Sequence, residues 1–245
     1  MEGRLLKGIF ISGTDTEVGK TVVTAALACC LQKSGLNVKA VKPFQTGTEL
    51  EGLLDIEFVY KLLETGFDLD EVCPVRLGKP LSPHAAAALE NKELDVDKVV
   101  ESLKQKFMHS EDTVLFEGAG GLLVPITKDY FMSDFVRDMG LSLVIVSRPG
   151  LGTLNHTLLS IEHAKSAGLE ILGVVISNYP KNPGLAESLN IAALKELSDV
   201  DVIGVIPSID GLDVQKGTSG NLAQKCSDFF INTVGGTLNL NNFLT

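Results

Sequence analysis

No stretch of the 245-residue chain approaches about eighteen consecutive apolar residues, so no segment is expected to span a membrane. Positive charge is scarce. Against 31 Asp and Glu stand 21 Lys and Arg, for a net charge of −10. Nucleic acids and anionic membranes both require a basic face, so neither is an expected partner. The four cysteines, Cys29, Cys30, Cys73 and Cys226, form no CxxC pair. That pattern removes a zinc site and fits a reducing cytoplasm. Histidine occurs four times, and no Ser–His–Asp arrangement is legible. Residues 1–7 carry no long apolar stretch before a cleavage site, so no signal peptide is expected.

What is present suffices for a sizeable core. Hydrophobic residues make up 44% and charged residues 21%, which suits one domain over residues 1–245, with Asn239–Thr245 its weakest-ordered end. Short β-branched runs alternate with helical patterns. Expected strands are Gly8–Ser12, Val38–Lys42, Thr113–Glu117, Ser142–Ser147, Ile171–Ser177 and Asp201–Ile206. Expected helices are Lys20–Ser34, Asp55–Thr65, Val96–Phe107, Ser133–Met139, Thr153–Ala167 and Pro183–Leu197. Cys29 and Cys30 sit inside the first of these and read as small core residues. Runs apolar on both faces belong to a parallel sheet covered by helices. The expected fold is therefore α/β, a doubly wound, mostly parallel sheet with its crevice at the carboxyl ends of the strands.

Gly13 to Thr21 read Gly-Thr-Asp-Thr-Glu-Val-Gly-Lys-Thr, between the first strand and the first helix. A glycine-bearing loop closed by Gly-Lys-Thr in that context cradles the phosphates of a nucleoside triphosphate. Loop N–H groups and the helix start present partial positive charge. Lys20 adds a full charge for the outer phosphates, and the Thr21 hydroxyl is a hard oxygen ligand for Mg²⁺. The leading glycine stands one residue earlier than usual, at Gly13, with Thr14 in its ordinary place.

Other strand ends carry further candidates. Glu117, followed by Gly118-Ala119-Gly120-Gly121, can reach the metal while the glycines admit close approach of a ligand. Asp55 has two readings, a helix N-cap or a second carboxylate for the metal. Lys42, ahead of Pro43 and close to Thr46 and Gly47, suits a γ-phosphoryl group or an anionic substrate. Gly150-Leu151-Gly152-Thr153 opens a helix and offers a second anion site, against simple capping by Thr153. Asn155 and His156 read as local hydrogen-bonders, His84 as a loop residue near the site, and His109 and His163 as surface residues.

These motifs, in this order from Gly8 to about Gly236, resemble the dethiobiotin synthetase family. The most specific elements are the loop Gly13–Thr21 with its extra residue and Lys42-Pro43; Ser82-Pro83-His84, Glu117 to Gly121, Gly152 to His156 and Ile206-Pro207 follow. The resemblance implies a homodimer of phosphate-loop domains that closes a cyclic urea from 7,8-diaminononanoate, CO₂ and ATP with Mg²⁺. It implies catalytic roles for Lys42, Lys20, Thr16 and Glu17. It implies nucleotide contacts along the loop from Gly13, Thr14, Glu17, Val18, Gly19, Lys20, Thr21 and Val22. Further nucleotide contacts would come from Glu117, Gly118, Ala119 and Gly120, and from Asn178, Pro207, Ser208 and Ile209. Metal ligation would fall to Thr21, Asp55 and Glu117. Substrate contacts would come from Thr46 and, across the dimer, from Gly150, Leu151, Gly152, Thr153 and Asn155. Thr46 stands where the family often has Ser, and residues 48–54 are shorter and richer in leucine than the family's usual polar run.

Two other classes share parts of the pattern. Partition and septum-positioning switch ATPases carry a lysine at the loop's second position, which is Thr14 here, and a tether that is not visible. Cobyrinate-type amidotransferases need a glutaminase domain that this length does not hold.

Overall fold

The computed structural model describes residues 8–107 and 110–230. His109, the first seven residues and the Asn239–Thr245 end lie outside the described residues. Six strands form one parallel sheet: β1 (Gly8–Gly13), β2 (Val38–Val41), β3 (Thr113–Glu117), β4 (Ser142–Ser147), β5 (Ile171–Tyr179) and β6 (Val202–Pro207), in the spatial order β6-β5-β4-β1-β3-β2. The nine helices among the described residues are α1 (Lys20–Lys33), α2 (Asp55–Leu63), α3 (Leu69–Val72), α4 (Pro83–Leu89), α5 (Val96–Phe107), α6 (Met132–Met139), α7 (Thr153–Ser166), α8 (Leu185–Ser198) and α9 (Leu222–Phe230). None is long and apolar enough to cross a membrane.

The sheet is covered on both faces, as its composition demands. Along β1 the side chains alternate: Ile9 and Ile11 join the core formed with α1, α2 and α9, while Phe10 joins the core formed with α5, α6, α7 and α8. Helix α1 is buried over most of its circumference, and its run of Ala25, Ala26, Ala28, Cys29 and Cys30 lets it sit close to the sheet between α2 and α9. Burial raises the thiols of Cys29 and Cys73 to about 12 and that of Cys30 to about 11, as for inert core residues.

Several boundaries differ from expectation. β2 stops at Val41, because the Lys42 N–H leaves the ladder and donates to Val72 O at 2.7 Å. β5 runs to Tyr179, and α2 ends at Leu63 with Glu64 in the left-handed region at φ 55°. α8 begins at Leu185, two residues after Pro183. Helices α3, α4 and α9 were not expected, nor were three two-stranded ladders. One of these pairs Phe44–Gln45 with Val75–Arg76 in parallel. It holds the chain after Lys42 against the chain before α4, beside the crevice.

Candidate active site

β1 delivers the phosphate loop to the middle of the sheet's carboxyl edge. The Gly13 N–H donates to Gly120 O at 3.2 Å and the Thr14 N–H to Val146 O at 2.9 Å, so the loop is stitched to both neighbouring strand ends. The Thr14 N–H is thus spent on the fold. A Cβ on Gly13 would lie 2.7 Å from Asp15 O, and one on Gly121 would lie 2.9 Å from Gly13 O. Gly118 is a packing position, since a Cβ there would meet the Phe10 ring at 2.7 Å. Gly19 caps α1 at φ 96°, and a Cβ on it would overlap Ser177 Oγ.

A cavity of about 650 Å³ opens above this loop. Thr16, Glu17, Gly19, Lys20, Thr21, Val22, Lys42, Thr46, Asp55, Glu117, Ala119 and Gly120 all line it. Residues far apart in the chain therefore meet at one place. Val18, expected among the nucleotide contacts, turns its side chain away from the cavity, so the contact it would offer is its backbone N–H. Its side chain is apolar and buried, and it turns beneath the loop into the core that holds Ile9, Ile11 and α1. There its Cγ2 lies 2.8 Å from where a Cβ on Gly13 would stand, so Val18 fills the space that the leading glycine leaves.

Lys42 is 4% exposed and Glu117 is 1% exposed. The Lys42 ammonium donates to Glu117 Oε1 at 2.7 Å and to Asp55 Oδ2. The Thr21 hydroxyl donates to the same Glu117 oxygen at 2.9 Å. Glu117 Oε2 is buried and has no protein partner.

The electrostatics follow from this arrangement. Burial alone would lower Lys42, but the Glu117 and Asp55 carboxylates carry it above its ordinary value. Burial alone would raise Asp55, yet the Lys42 ammonium holds it below the usual carboxylate range. Lys20, buried and facing Lys42, is lowered to about 8, with Glu117, Asp55 and Asp15 offsetting part of the fall. Its Nζ donates to Asp15 O at 3.1 Å. Of the two readings of Asp55, the N-cap one does not hold: Leu54 is the cap, and the Asp55 side chain reaches Lys42.

Two oxygens of Glu117, the Asp55 carboxylate and the Thr21 hydroxyl make an oxygen donor set of the kind a hard divalent cation takes. The unpartnered Glu117 Oε2 fits such a cation directly. Among the described residues no group of three or more His, Cys, Asp or Glu gathers for a metal. A cation here would complete its shell with phosphate oxygens and water, as Mg²⁺ does.

Two other groups lie outside the cavity. Asn178, at φ 57°, accepts from the Ser208 hydroxyl at 2.6 Å, which brings the ends of β5 and β6 together with Pro207 and Ile209. The 150–155 segment opens α7 and does not line the cavity. Thr153 is not its cap. Gly152 takes that place at φ 89°, and the buried Thr153 hydroxyl pairs with Ser147 Oγ at 2.5 Å. Leu151 is 89% exposed, and Asn155 is exposed as well. His84 is an exposed residue of α4 rather than of a loop. His163 is half-buried, not on the surface, because α7 turns it toward Gly13 and Leu122.

Gln45, Leu50 to Leu54, Pro80, Leu81, Val124, Val214 and Gln215 also line the cavity without having been expected there, and Gly47 and the Ser82-Pro83 motif line it too. For Gln45 a signal existed, in its place between Lys42 and Thr46. For Gln215 there was none, since it arrives through the Leu53 N–H donating to its carbonyl at 2.8 Å.

A family model described as an AAA domain matches residues 7–216. An ATP-dependent dethiobiotin synthetase of Methanocaldococcus jannaschii is 38% identical over 213 residues, covering 84% of this chain and 96% of the relative. The one from Thermodesulfovibrio yellowstonii is 39% identical over 224 residues, covering 85% and 92%. The one from Bacillus subtilis is 34% identical over 205 residues, covering 83% and 88%. Among solved structures, the MinC:MinD cell division complex of Aquifex aeolicus superposes with a TM-score of 0.58 at 14% identity, covering 95% of this chain and 98% of that one. A ParA family ATPase from Chlorobium tepidum gives 0.55 at 13%, covering 90% and 97%. Those two share the fold. The sequence relatives share more than four-fifths of the chain at 34–39% identity, and by that measure the chain belongs to the ATP-dependent dethiobiotin synthetase family.

Proposed function

We propose that the chain, acting as one domain, is an ATP-dependent ligase that makes dethiobiotin from 7,8-diaminononanoate and CO₂. The observation that carries this reading is the meeting of Lys20, Lys42, Thr21, Asp55 and Glu117 around one cavity in a member of this family.

The chemistry needs charge and positioning from the protein rather than a covalent intermediate with it. One amine of the substrate takes up CO₂ as a carbamate. The carbamate oxygen attacks the γ-phosphorus of ATP, and ADP leaves. The second amine then attacks the carbonyl carbon of the mixed anhydride, phosphate leaves, and the ring closes. Lys20 and Lys42 approach the transferring phosphoryl group from the loop and from the end of β2, where negative charge spreads over its oxygens. Held by Asp55 and Glu117, Lys42 keeps its proton and acts as a fixed charge. Mg²⁺ on Thr21, Asp55 and Glu117 would supply charge neutralisation to the phosphates. Thr16, Glu17 and Thr46 border the same cavity and are the candidates for holding the carbamate and diamine.

The adenine would lie against Asn178, Pro207, Ser208 and Ile209. The substrate carboxylate would lie at the start of α7, offered by the partner subunit of a homodimer, because that segment stands outside its own chain's cavity. The net charge of −10 supports small molecules rather than nucleic acid or an anionic membrane as its partners, and a cytoplasmic setting is proposed with them. Carbon-labelled bicarbonate tests the reading: the label should appear in dethiobiotin only when diamine, Mg²⁺ and ATP are all present. The likeness to MinD and ParA, at 13–14% identity, extends to the fold alone.

A further inference from the structure

Gln45 is 7% exposed, it lines the cavity beside Lys42, Thr46 and Asp55, and its side-chain oxygen is buried without a partner. The orientation of the amide follows from its surroundings. The nitrogen donates to Thr46 O at 2.9 Å, and the same end faces the Asp55 carboxylate. Both neighbours only accept, so the NH₂ is directed to them and the oxygen is the free end. The backbone is pinned as well: Gln45 pairs with Arg76, and its carbonyl accepts the Leu77 N–H at 2.9 Å. A buried acceptor without a donor is costly. In a cavity wall that cost is relieved when a ligand brings the donor.

The wall also holds the Thr16 and Thr46 hydroxyls and the Glu17, Glu51 and Glu117 carboxylates, and among these acceptors the Gln45 amide oxygen is neutral and without a hydrogen of its own to donate. Lys20 and Lys42 carry donors only. The Asp55 carboxylate and Glu117 Oε1 are already engaged by Lys42. An amine that is to attack carbon must keep its lone pair. A carboxylate partner would stabilise the ammonium and withdraw that lone pair, whereas an amide oxygen accepts an N–H without adding charge.

Resting on the diamine reading given above, we propose that Gln45 Oε1 receives an N–H of the substrate nitrogen that takes up CO₂, and holds that nitrogen in its neutral form. In the step it serves, the nitrogen lone pair forms the N–C bond. One C=O electron pair of CO₂ moves onto oxygen, one N–H proton leaves to solvent, and the N–H that remains on the carbamate stays on Gln45.

Two variants test this. Gln45→Leu removes the acceptor, and Gln45→Glu keeps the shape but adds a negative charge. Diamine affinity is measured by calorimetry, and kcat/KM for diamine is measured against pH, with wild type alongside. The expected result for Gln45→Leu is diamine binding weaker by about tenfold, equivalent to one hydrogen bond, with the KM for ATP unchanged. For Gln45→Glu, the rising limb of the pH profile should move to higher pH by about one unit, because the carboxylate favours the ammonium. If Gln45→Leu binds diamine as wild type does and changes only the Mg²⁺ requirement, Gln45 serves Asp55 and the assignment is overturned. An unmoved pH limb in Gln45→Glu overturns it too, and decides alone should Gln45→Leu not fold. If wild type neither binds nor consumes the diamine, the functional reading itself fails and this assignment with it. Normal wild type with matching variants removes only the role of Gln45.

Discussion

Lys42 Nζ lies 2.7 Å from Glu117 Oε1, and both side chains are buried, one at the tip of β2 and the other at the end of β3. The same ammonium also holds Asp55. A buried ion cluster is a poor source of stability, because desolvation offsets most of its Coulomb energy. Its persistence in this crevice is accounted for by the charges it delivers.

Lys42→Met leaves Asp55 and Glu117 facing each other with no cation between them. Removing one partner of a buried pair costs about 3–5 kcal/mol. Thermal unfolding should therefore show a lowered Tm in chelator, and added Mg²⁺ should recover more stability in the variant than in wild type, by binding the folded form. Turnover should fall at least about a hundredfold. A variant with wild-type Tm in chelator contradicts the cluster's role.

Lys20 gives the pH dependence. In the free protein it is lowered to about 8, chiefly by burial and then by Lys42. Bound phosphate favours the charged form and raises it again. ATP affinity should thus be flat below pH about 7, fall as pH rises through about 8, and be accompanied by proton uptake. Calorimetry in two buffers of different ionisation enthalpy measures that uptake. Binding that strengthens between about pH 8 and 9 would have the wrong sign. In Lys20→Ala both the uptake and most of kcat should vanish.

Gly19→Ala places a Cβ at φ 96°, in overlap with Ser177 Oγ. ATP binding should weaken by more than about tenfold, in keeping with strain of about 1–3 kcal/mol in the loop. Adding Ser177→Gly removes the overlap but not the backbone strain, so recovery should be partial. Full recovery, or no loss to begin with, would show that the loop tolerates a different path.

The proposed sharing of the site across a homodimer predicts complementation between subunits. Leu151→Glu sets a charge at the exposed start of α7 without the strain that any substitution of Gly152 carries at φ 89°. Mixed with Lys20→Ala, it should restore activity up to about a quarter of wild type, because random pairing makes half the dimers mixed and each mixed dimer has one intact site. If the subunits exchange and nothing returns, the carboxylate site does not lie across the dimer.

The six strands were legible because a parallel strand covered on both faces is a continuous apolar run, as in Leu143-Val144-Ile145-Val146. Glu117 was legible for a related reason, as the charge that ends the run Val114-Leu115-Phe116, while Lys42 was legible as the lysine before Pro43 at the end of a shorter, mixed strand. Gln215 was not, since its place depends on the Leu53 N–H, distant in sequence; Gln45 stands between Lys42 and Thr46, and only its pairing with Arg76 was out of reach. Asp55 was undecided until Lys42 was seen beside it. The direction of the Val18 side chain is not written in the loop motif: being apolar, it turns into the core and leaves only its backbone facing the loop. Of the two readings at this helix start, capping by Thr153 fails for a different cause. A threonine at a helix start reads as a cap, but this one follows a left-handed glycine and turns inward to Ser147.

The central claim is that ATP is consumed only to activate the carbamate of a diamine. Phosphate release in the presence of Mg²⁺ and ATP, followed while 7,8-diaminononanoate and bicarbonate are each withheld and restored, tests it most directly. The account predicts release near background without either one, and one phosphate per dethiobiotin when both are present. Release at the full rate without the diamine would contradict it and favour a nucleotide-driven switch on the same fold.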